Sequence, residues 1–187
     1  MSRFSMPSSD RRAAVQRVEG LIRSVPDFPQ PGILFRDITP VLRDPAALAA
    51  AVALHLDAIG DLAGTIDRVV GVESRGFLFG VPVAHALGVG FAPARKPGKL
   101  PAATLAQAYA LEYGEGYLHL HTDAVDPGDR VLLIDDLLAT GGTASAAAGL
   151  VSRLGGTVVA ALFLIELAAL GGRARLAPLR VEAILAY

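Results

Sequence analysis

The chain has 187 residues, 52% of them hydrophobic and 6% aromatic, with a net charge of -1. That length holds one domain with a full core, and that charge excludes a nucleic-acid binder held by bulk electrostatics. The absence of cysteine excludes disulfides and thiolate metal sites. The start, MSRFSMPSSD, has no apolar signal core, and the apolar run of the C-terminal half is broken by Glu166, so a cytoplasmic protein without a membrane partner is expected. Of 17 basic residues only two are Lys, at 96 and 99, and both fall in one short loop beside Arg95.

In chain order, Ser9 or Asp10 can cap a first helix over 11–24, with Val15, Val18, Leu21 and Ile22 on one face. The stretch from Pro26 to Gly32 carries three prolines and reads as irregular, and Ile33 to Ile38 reads as extended. Asp44-Pro45 opens a helix to about Ile59. Arg68 to Val72 is a buried strand, followed by Glu73-Ser74-Arg75-Gly76 and a helix to Leu87 in which Pro82 is awkward. His55 and His85 fall on these helices, at their surfaces or boundaries. Gly90 to Ala94 is a strand, Arg95 to Leu105 a basic, mobile loop, and 108–113 with 117–121 an exposed hairpin. Thr157 to Ile165 is a long buried strand, a short helix lies around 168–176, and Val181 to Leu185 is the last strand. Alternating strands and helices predict an α/β fold: an open, mainly parallel twisted sheet with helices on both faces.

The strongest local signal is Val131 to Ala144, VLLIDDLLATGGTA. Four apolar residues form a strand, Asp135 and Asp136 fall at its end, a small-residue turn follows, and a helix runs from Ala144 to Leu154. Helix-start amides and glycine backbone suit an anion, and carboxylates accept hydrogen bonds from sugar hydroxyls. Ala139, Thr140, Gly141, Gly142 and Thr143 are therefore read as a phosphate turn, and Asp135 and Asp136 as acceptors for ribose hydroxyls. No Lys follows the glycines, so this is not a Walker loop, and the dinucleotide fingerprint is absent.

Glu73-Ser74-Arg75-Gly76 reads as a second anion turn on the same sheet edge, although Arg75 taken alone reads equally as the partner of a surface acid. The third candidate is Arg95-Lys96-Pro97-Gly98-Lys99 with the hairpin around Glu112. Strand alternation puts Tyr109, Leu111 and Tyr113 on one face and Glu112 on the other. His119 and His121 alternate on one face, but no third ligand is near them in sequence.

The segments PDFPQPGILFRDITPVL, ESRGFLFG, RKPGKLP, LEYG and VLLIDDLLATGGT, in this order, resemble the adenine-specific branch of the type I phosphoribosyltransferases. The resemblance implies one phosphoribosyltransferase domain over 1–187, with a hood at about 8–40 and a mobile catalytic loop and hairpin at about 95–121. It implies transfer from phosphoribosyl pyrophosphate to adenine, giving AMP and pyrophosphate, with Mg2+ held mainly through the sugar donor rather than by protein side chains, in a homodimer. By position, Ser74, Arg75, Arg95, Lys99 and Tyr113 would serve the pyrophosphate, Glu112 would be the catalytic acid/base, and Leu34 and Arg36 would lie in the base-binding segment. Relatives that use 6-oxopurines resemble one another in carrying a Lys near the strand after the central helix, and Thr157 to Ile165 has none. A transferase for another purine, or a non-catalytic sensor of phosphoribosyl pyrophosphate, are the alternatives.

Overall fold

The structure, a computed structural model, describes residues 3–110 and 115–187. Its centre is a five-stranded sheet in which every neighbouring pair is parallel. In chain order the sheet strands are β3 (Arg68–Val72), β4 (Gly90–Ala94), β7 (Arg130–Leu138), β8 (Thr157–Glu166) and β9 (Val181–Ala186), and they lie side by side as β4-β3-β7-β8-β9. Two ribbons stand apart: β1 (Arg23–Pro26) with β2 (Leu34–Asp37), and β5 (Thr104–Ala110) with β6 (Glu115–His121), both antiparallel.

Strand alternation divides the core. Leu132 and Ile134 of β7 point to one face with Val69, Leu162 and Leu164; Val131 and Leu133 point to the other with Val70, Ala161 and Phe163. The first face is covered by α1 (Ser8–Glu19), α2 (Thr39–Arg43), α3 (Pro45–Ala58) and α4 (Gly76–Leu87). The second is covered by α5 (Gly142–Arg153), by Leu118 and Leu120 of β6, and by Leu176 just beyond α6 (Gly172–Arg175). Among the described residues no helix is long and apolar enough to cross a membrane.

Several sequence expectations shift. Helix α1 starts at Ser8 behind Pro7 without a side-chain cap, and Ser9 Oγ instead bonds Asp10. It ends at Glu19, so Arg23–Pro26 is free to pair with β2, and Pro26 closes a strand rather than opening an irregular stretch. A proline is tolerated there because its partner ladder ends. The cap at Asp44 is present: its Oδ1 accepts from the Ala47 amide at 2.7 Å. Helix α4 continues through Pro82. The hairpin begins at Thr104, earlier than the alternation suggested.

The end of the sheet where the parallel strands begin is closed by charge. Arg68 contacts Asp126 at 3.0 Å and Asp129 at 3.1 Å, and Arg180 contacts Asp61 at 2.6 Å and Glu182 at 2.9 Å. The Arg130 amide donates to Asp67 at 2.8 Å.

His55 is not at a surface. It is wholly buried on α3, its ring stacked on Phe79 at 5.4 Å and its Nδ1 2.7 Å from the Ala51 carbonyl, while Nε2 has no hydrogen-bond partner. Burial lowers its pKa from 6.5 to about 4 despite the Ala51 carbonyl. Unfolding therefore takes up a proton below pH 6.5. The stabilisation is complete above that pH and is lost as pH falls towards about 4, by about 3 kcal/mol in all. Denaturant midpoints at pH 7 and pH 5 should differ more for the parent than for His55→Leu, and an equal difference would remove His55 as the cause.

Candidate active site

The site forms where β7 outruns β3. The two strands pair from Arg68↔Val131 to Gly71↔Ile134, whereas β7 and β8 stay paired to Leu138↔Glu166. Asp135 and Asp136 are thus inside β7, not after it, at the point where one neighbour has turned away. The backbone ladder to β8 keeps the strand regular through both acids, which their charge alone would not suggest.

Into the vacated side comes the turn after β3. A Cβ at Gly76 would stand 2.6 Å from the Ile134 carbonyl oxygen and 3.0 Å from the Asp135 Cα, so only glycine permits this approach. The turn delivers Arg75 to Asp136: Nε lies 2.7 Å from Oδ2, an ion pair without hydrogen-bond alignment. Arg75 therefore pairs with one of the two site acids rather than with a surface carboxylate. Asp136 is only 3% exposed, and the Asp136 amide donates to Asp135 Oδ1 at 2.9 Å. Burial pushes both carboxyls up; the neighbouring Asp136 charge raises Asp135 further, while Arg75 pulls Asp136 back down.

The predicted phosphate turn borders a cavity of about 80 Å³ lined by residues 137–144 with Asp135 and Phe163. Gly141 has φ +78° and precedes the first residue of α5, so the helix begins two residues earlier than expected. A Cβ there would come within 2.7 Å of the Gly172 carbonyl oxygen. The first-turn amides of α5 have no partners within the helix and point towards this cavity by construction. Thr140 is exposed and Thr143 half-buried, so both hydroxyls lie near the opening.

Glu73 organises the basic loop, a role the spacing did not reveal. Its Oε2 accepts from Arg95 Nε at 3.2 Å and from the Lys96 amide at 2.9 Å. Burial alone would raise the Glu73 pKa, but the Lys96 amide, Arg95 and Lys99 outweigh it and hold the carboxyl below its ordinary value. Arg95 also donates to the Lys99 carbonyl at 3.1 Å, and its backbone exchanges two hydrogen bonds with His119 of β6. The loop and the hairpin thus share one anchor. Ser74, Lys96 and Lys99 are exposed. Glu112 and Tyr113, with Leu111, lie outside the described residues. On the hairpin, His119 Nδ1 bonds Thr104 Oγ1 at 3.1 Å, and His121 Nε2 accepts from the Ala102 amide at 3.4 Å. No group of three or more potential metal-ligating residues is assembled among the described residues.

Beside Arg75 opens an apolar cleft of about 480 Å³, lined by Val25, Phe28, Phe35, Ile38 and Leu42 with Asp37 and Thr39. Phe28 and Phe35 meet edge to face at 5.0 Å, and the Arg75 guanidinium stands 5.4 Å from the Phe35 ring. The segment of Leu34 and Arg36, expected to offer mainly backbone groups, runs along this cleft, and the side chains that line it are those of the neighbours Phe35 and Asp37, as the alternation of β2 requires. The visible signal for Phe35 was period two, once 34–37 is known to be a strand.

Comparison with known proteins gives a consistent result. Residues 38–179 match the phosphoribosyl transferase domain family. An adenine phosphoribosyltransferase of Edwardsiella ictaluri is 58% identical over 91% of this chain and 93% of its own length. The crystal structure of adenine phosphoribosyltransferase from Rhodothermus marinus superposes with a TM-score of 0.88 at 51% identity, covering 94% of this chain and 99% of that one. The enzyme of Saccharomyces cerevisiae, solved with an imino-altritol bisphosphate and adenine, gives 0.87 at 39% identity, covering 93% and 99%. On these grounds the chain belongs to the adenine phosphoribosyltransferases, within the type I phosphoribosyltransferase fold.

Proposed function

We propose that this chain binds phosphoribosyl pyrophosphate along the open edge of its sheet and transfers the 5-phosphoribosyl group to adenine, forming AMP for purine salvage and releasing pyrophosphate. The observation that carries this reading is the contact at Gly76, which brings the Arg75 turn against Asp135 and so joins two anion turns, two acids and an apolar cleft. A donor with separated phosphate and pyrophosphate groups spans such an edge. A flat, apolar-faced base fills such a cleft.

The assignments follow by position. Residues 139–143 hold the 5-phosphate on the α5 amides. Asp135 and Asp136 accept the ribose hydroxyls. Ser74, Arg75, Arg95 and Lys99 take the pyrophosphate, with Tyr113 shielding it. The base lies against Phe35 and meets the backbone of residues 34–36, whose donors and acceptors match an edge that offers both.

As the C1–oxygen bond to pyrophosphate breaks, that electron pair stays on the leaving group and positive charge develops on the ribose ring. The cations gathered at the β3 and β4 ends stabilise the departing pyrophosphate; one preorganised contact of this kind contributes about 3 kcal/mol, on the order of 10²-fold in rate. A ring nitrogen of adenine attacks C1 from the opposite face, so configuration inverts. Glu112 accepts the ring N–H proton that adenine loses as the new bond to C1 forms. Asp135 and Asp136 are hard oxygen donors of the kind Mg2+ takes, and Asp136 Oδ2 lacks an aligned hydrogen bond. Mg2+ carried in on the donor's oxygens would face these carboxylates and neutralise charge on the leaving group. A homodimer is part of the proposal: Leu78 and Val81, one turn apart on the outer side of α4, are 45% and 50% exposed, a patch that a second copy would cover.

Initial rates with phosphoribosyl pyrophosphate and Mg2+ should favour adenine over hypoxanthine and guanine; preference for hypoxanthine would overturn the base assignment. Asp135→Asn combined with Asp136→Asn should weaken donor binding by calorimetry at least about ten-fold, equivalent to about 1.4 kcal/mol. Unaltered affinity would contradict the ribose role. Glu112→Ala should lower kcat by about 10²-fold while donor affinity changes little. Unchanged turnover would take Glu112 out of the mechanism.

A further inference from the structure

The side chain of Arg36 is turned away from the base cleft, and its partners are specific. Phe35 and Asp37 line the cleft, so Leu34 and Arg36 occupy the opposite face of the β1–β2 ribbon. There Arg36 Nη1 donates to Ser24 Oγ at 2.6 Å, across the pair that Ser24 and Arg36 form in the ribbon. The guanidinium Cζ stands 3.8 Å from the centroid of the Tyr187 ring. Tyr187 is itself fixed to the main sheet: its amide donates to the Glu166 carbonyl at 2.9 Å, and its carbonyl accepts from the Ala168 amide at 2.9 Å. Its ring is partly buried against the core beneath α1 and α3.

These contacts form a chain from sheet to ribbon: the β8 backbone holds Tyr187, the Tyr187 ring face holds Arg36, and Arg36 with Ser24 holds both ribbon strands. The ribbon is two strands of four residues, and such a small antiparallel pair has little stability of its own. Its height over the sheet decides where Phe35 stands relative to the sugar site. We propose that Tyr187 is a positioning residue for the base, docking the β1–β2 ribbon through a cation–π contact to Arg36 so that Phe35 closes the cleft beside Arg75. Tyr187 touches no reacting atom in this arrangement. The residue acts through Arg36, and the specific requirement is an aromatic face rather than a hydroxyl. This role rests on the reading of the cleft as the adenine site.

The test compares parent, Tyr187→Phe and Tyr187→Leu, the last retaining apolar bulk but no ring face. In steady-state kinetics Tyr187→Leu should raise KM for adenine about ten-fold and leave KM for phosphoribosyl pyrophosphate within about two-fold, with Tyr187→Phe close to the parent in both. An unchanged adenine KM in Tyr187→Leu, or equal rises for both substrates, would overturn the proposal. Tyr187→Phe as impaired as Tyr187→Leu would also overturn it, by assigning the effect to the hydroxyl. Hydrogen exchange of the ligand-free proteins separates the clamp from the base reading. The Val25 and Phe35 amides should exchange faster in Tyr187→Leu than in the parent, with Leu132 and Leu133 unchanged. Equal exchange in the ribbon overturns the clamp. Inactivity of the parent towards adenine, together with faster ribbon exchange in Tyr187→Leu, overturns the base reading alone.

Discussion

Two carboxylates side by side in a buried parallel strand need a counter-charge, and the molecule supplies it from one position. Arg75 reaches Asp136 because the turn after β3 lies directly on β7, and the turn lies there because residue 76 has no side chain. Asp136 is the buried partner and Arg75 the half-exposed one, so loss of Arg75 would leave a buried carboxylate without compensation. The same guanidinium borders the apolar cleft through Phe35. One interaction therefore sets the spacing between the acids, the Arg75 turn and the apolar cleft.

The arrangement leaves the acids partly committed before any ligand arrives. Asp136 Oδ2 is close to Arg75 but receives no aligned hydrogen bond, and burial raises both carboxyls. In the proposed complex, a ribose that donates hydroxyl hydrogens meets acceptors that are short of donors, and a pyrophosphate meets an arginine whose existing contact is poorly directed. The basic loop is prepared in a similar way. Glu73, at the start of the Arg75 turn, accepts from Arg95 and the Lys96 amide, so the turn and the loop are tied together.

The sheet strands were legible because each is an apolar run bounded by glycine, proline or charge, and β3 and β4 match the expected limits. Other features were invisible to local pattern for identifiable reasons. Asp135 and Asp136 read as the end of a strand because charge is rare within buried strands; only pairing with β8 carries the strand past them. Arg23–Pro26 read as helix end and loop because a two-stranded ribbon of four residues leaves little periodicity, and proline conceals its last position. His55 read as a surface residue because polarity suggests exposure, whereas its ring stacks on Phe79 from another helix. Glu73 and Arg95 are 22 residues apart, and no spacing rule anticipates that they meet. Within the site, the shared sheet edge of the acids, the glycine turn and the Arg75 turn was readable, while the cleft at Phe35 depends on how the β1–β2 ribbon folds beside Arg75, and the Tyr187 contact joins distant parts of the chain.

The charge pairs at the beginning of the strands have a bearing on how ligands arrive. Arg68 and Arg180 there face four carboxylates, Asp126, Asp129, Asp61 and Glu182, so these clusters leave that end with an excess of negative charge. At the opposite end the amide dipoles of α4 and α5 converge with Lys96 and Lys99, which stand exposed on their loop. A chain of net charge -1 thus carries its two lysines at one mouth, beside Arg75 and Arg95 and the carboxylates that hold them. A polyanion that comes within roughly a Debye length of these exposed lysines, about 8 Å at physiological salt, interacts with their charge. The acid-rich end of the sheet offers such a polyanion no comparable attraction, so the charge layout itself favours approach from the loop side.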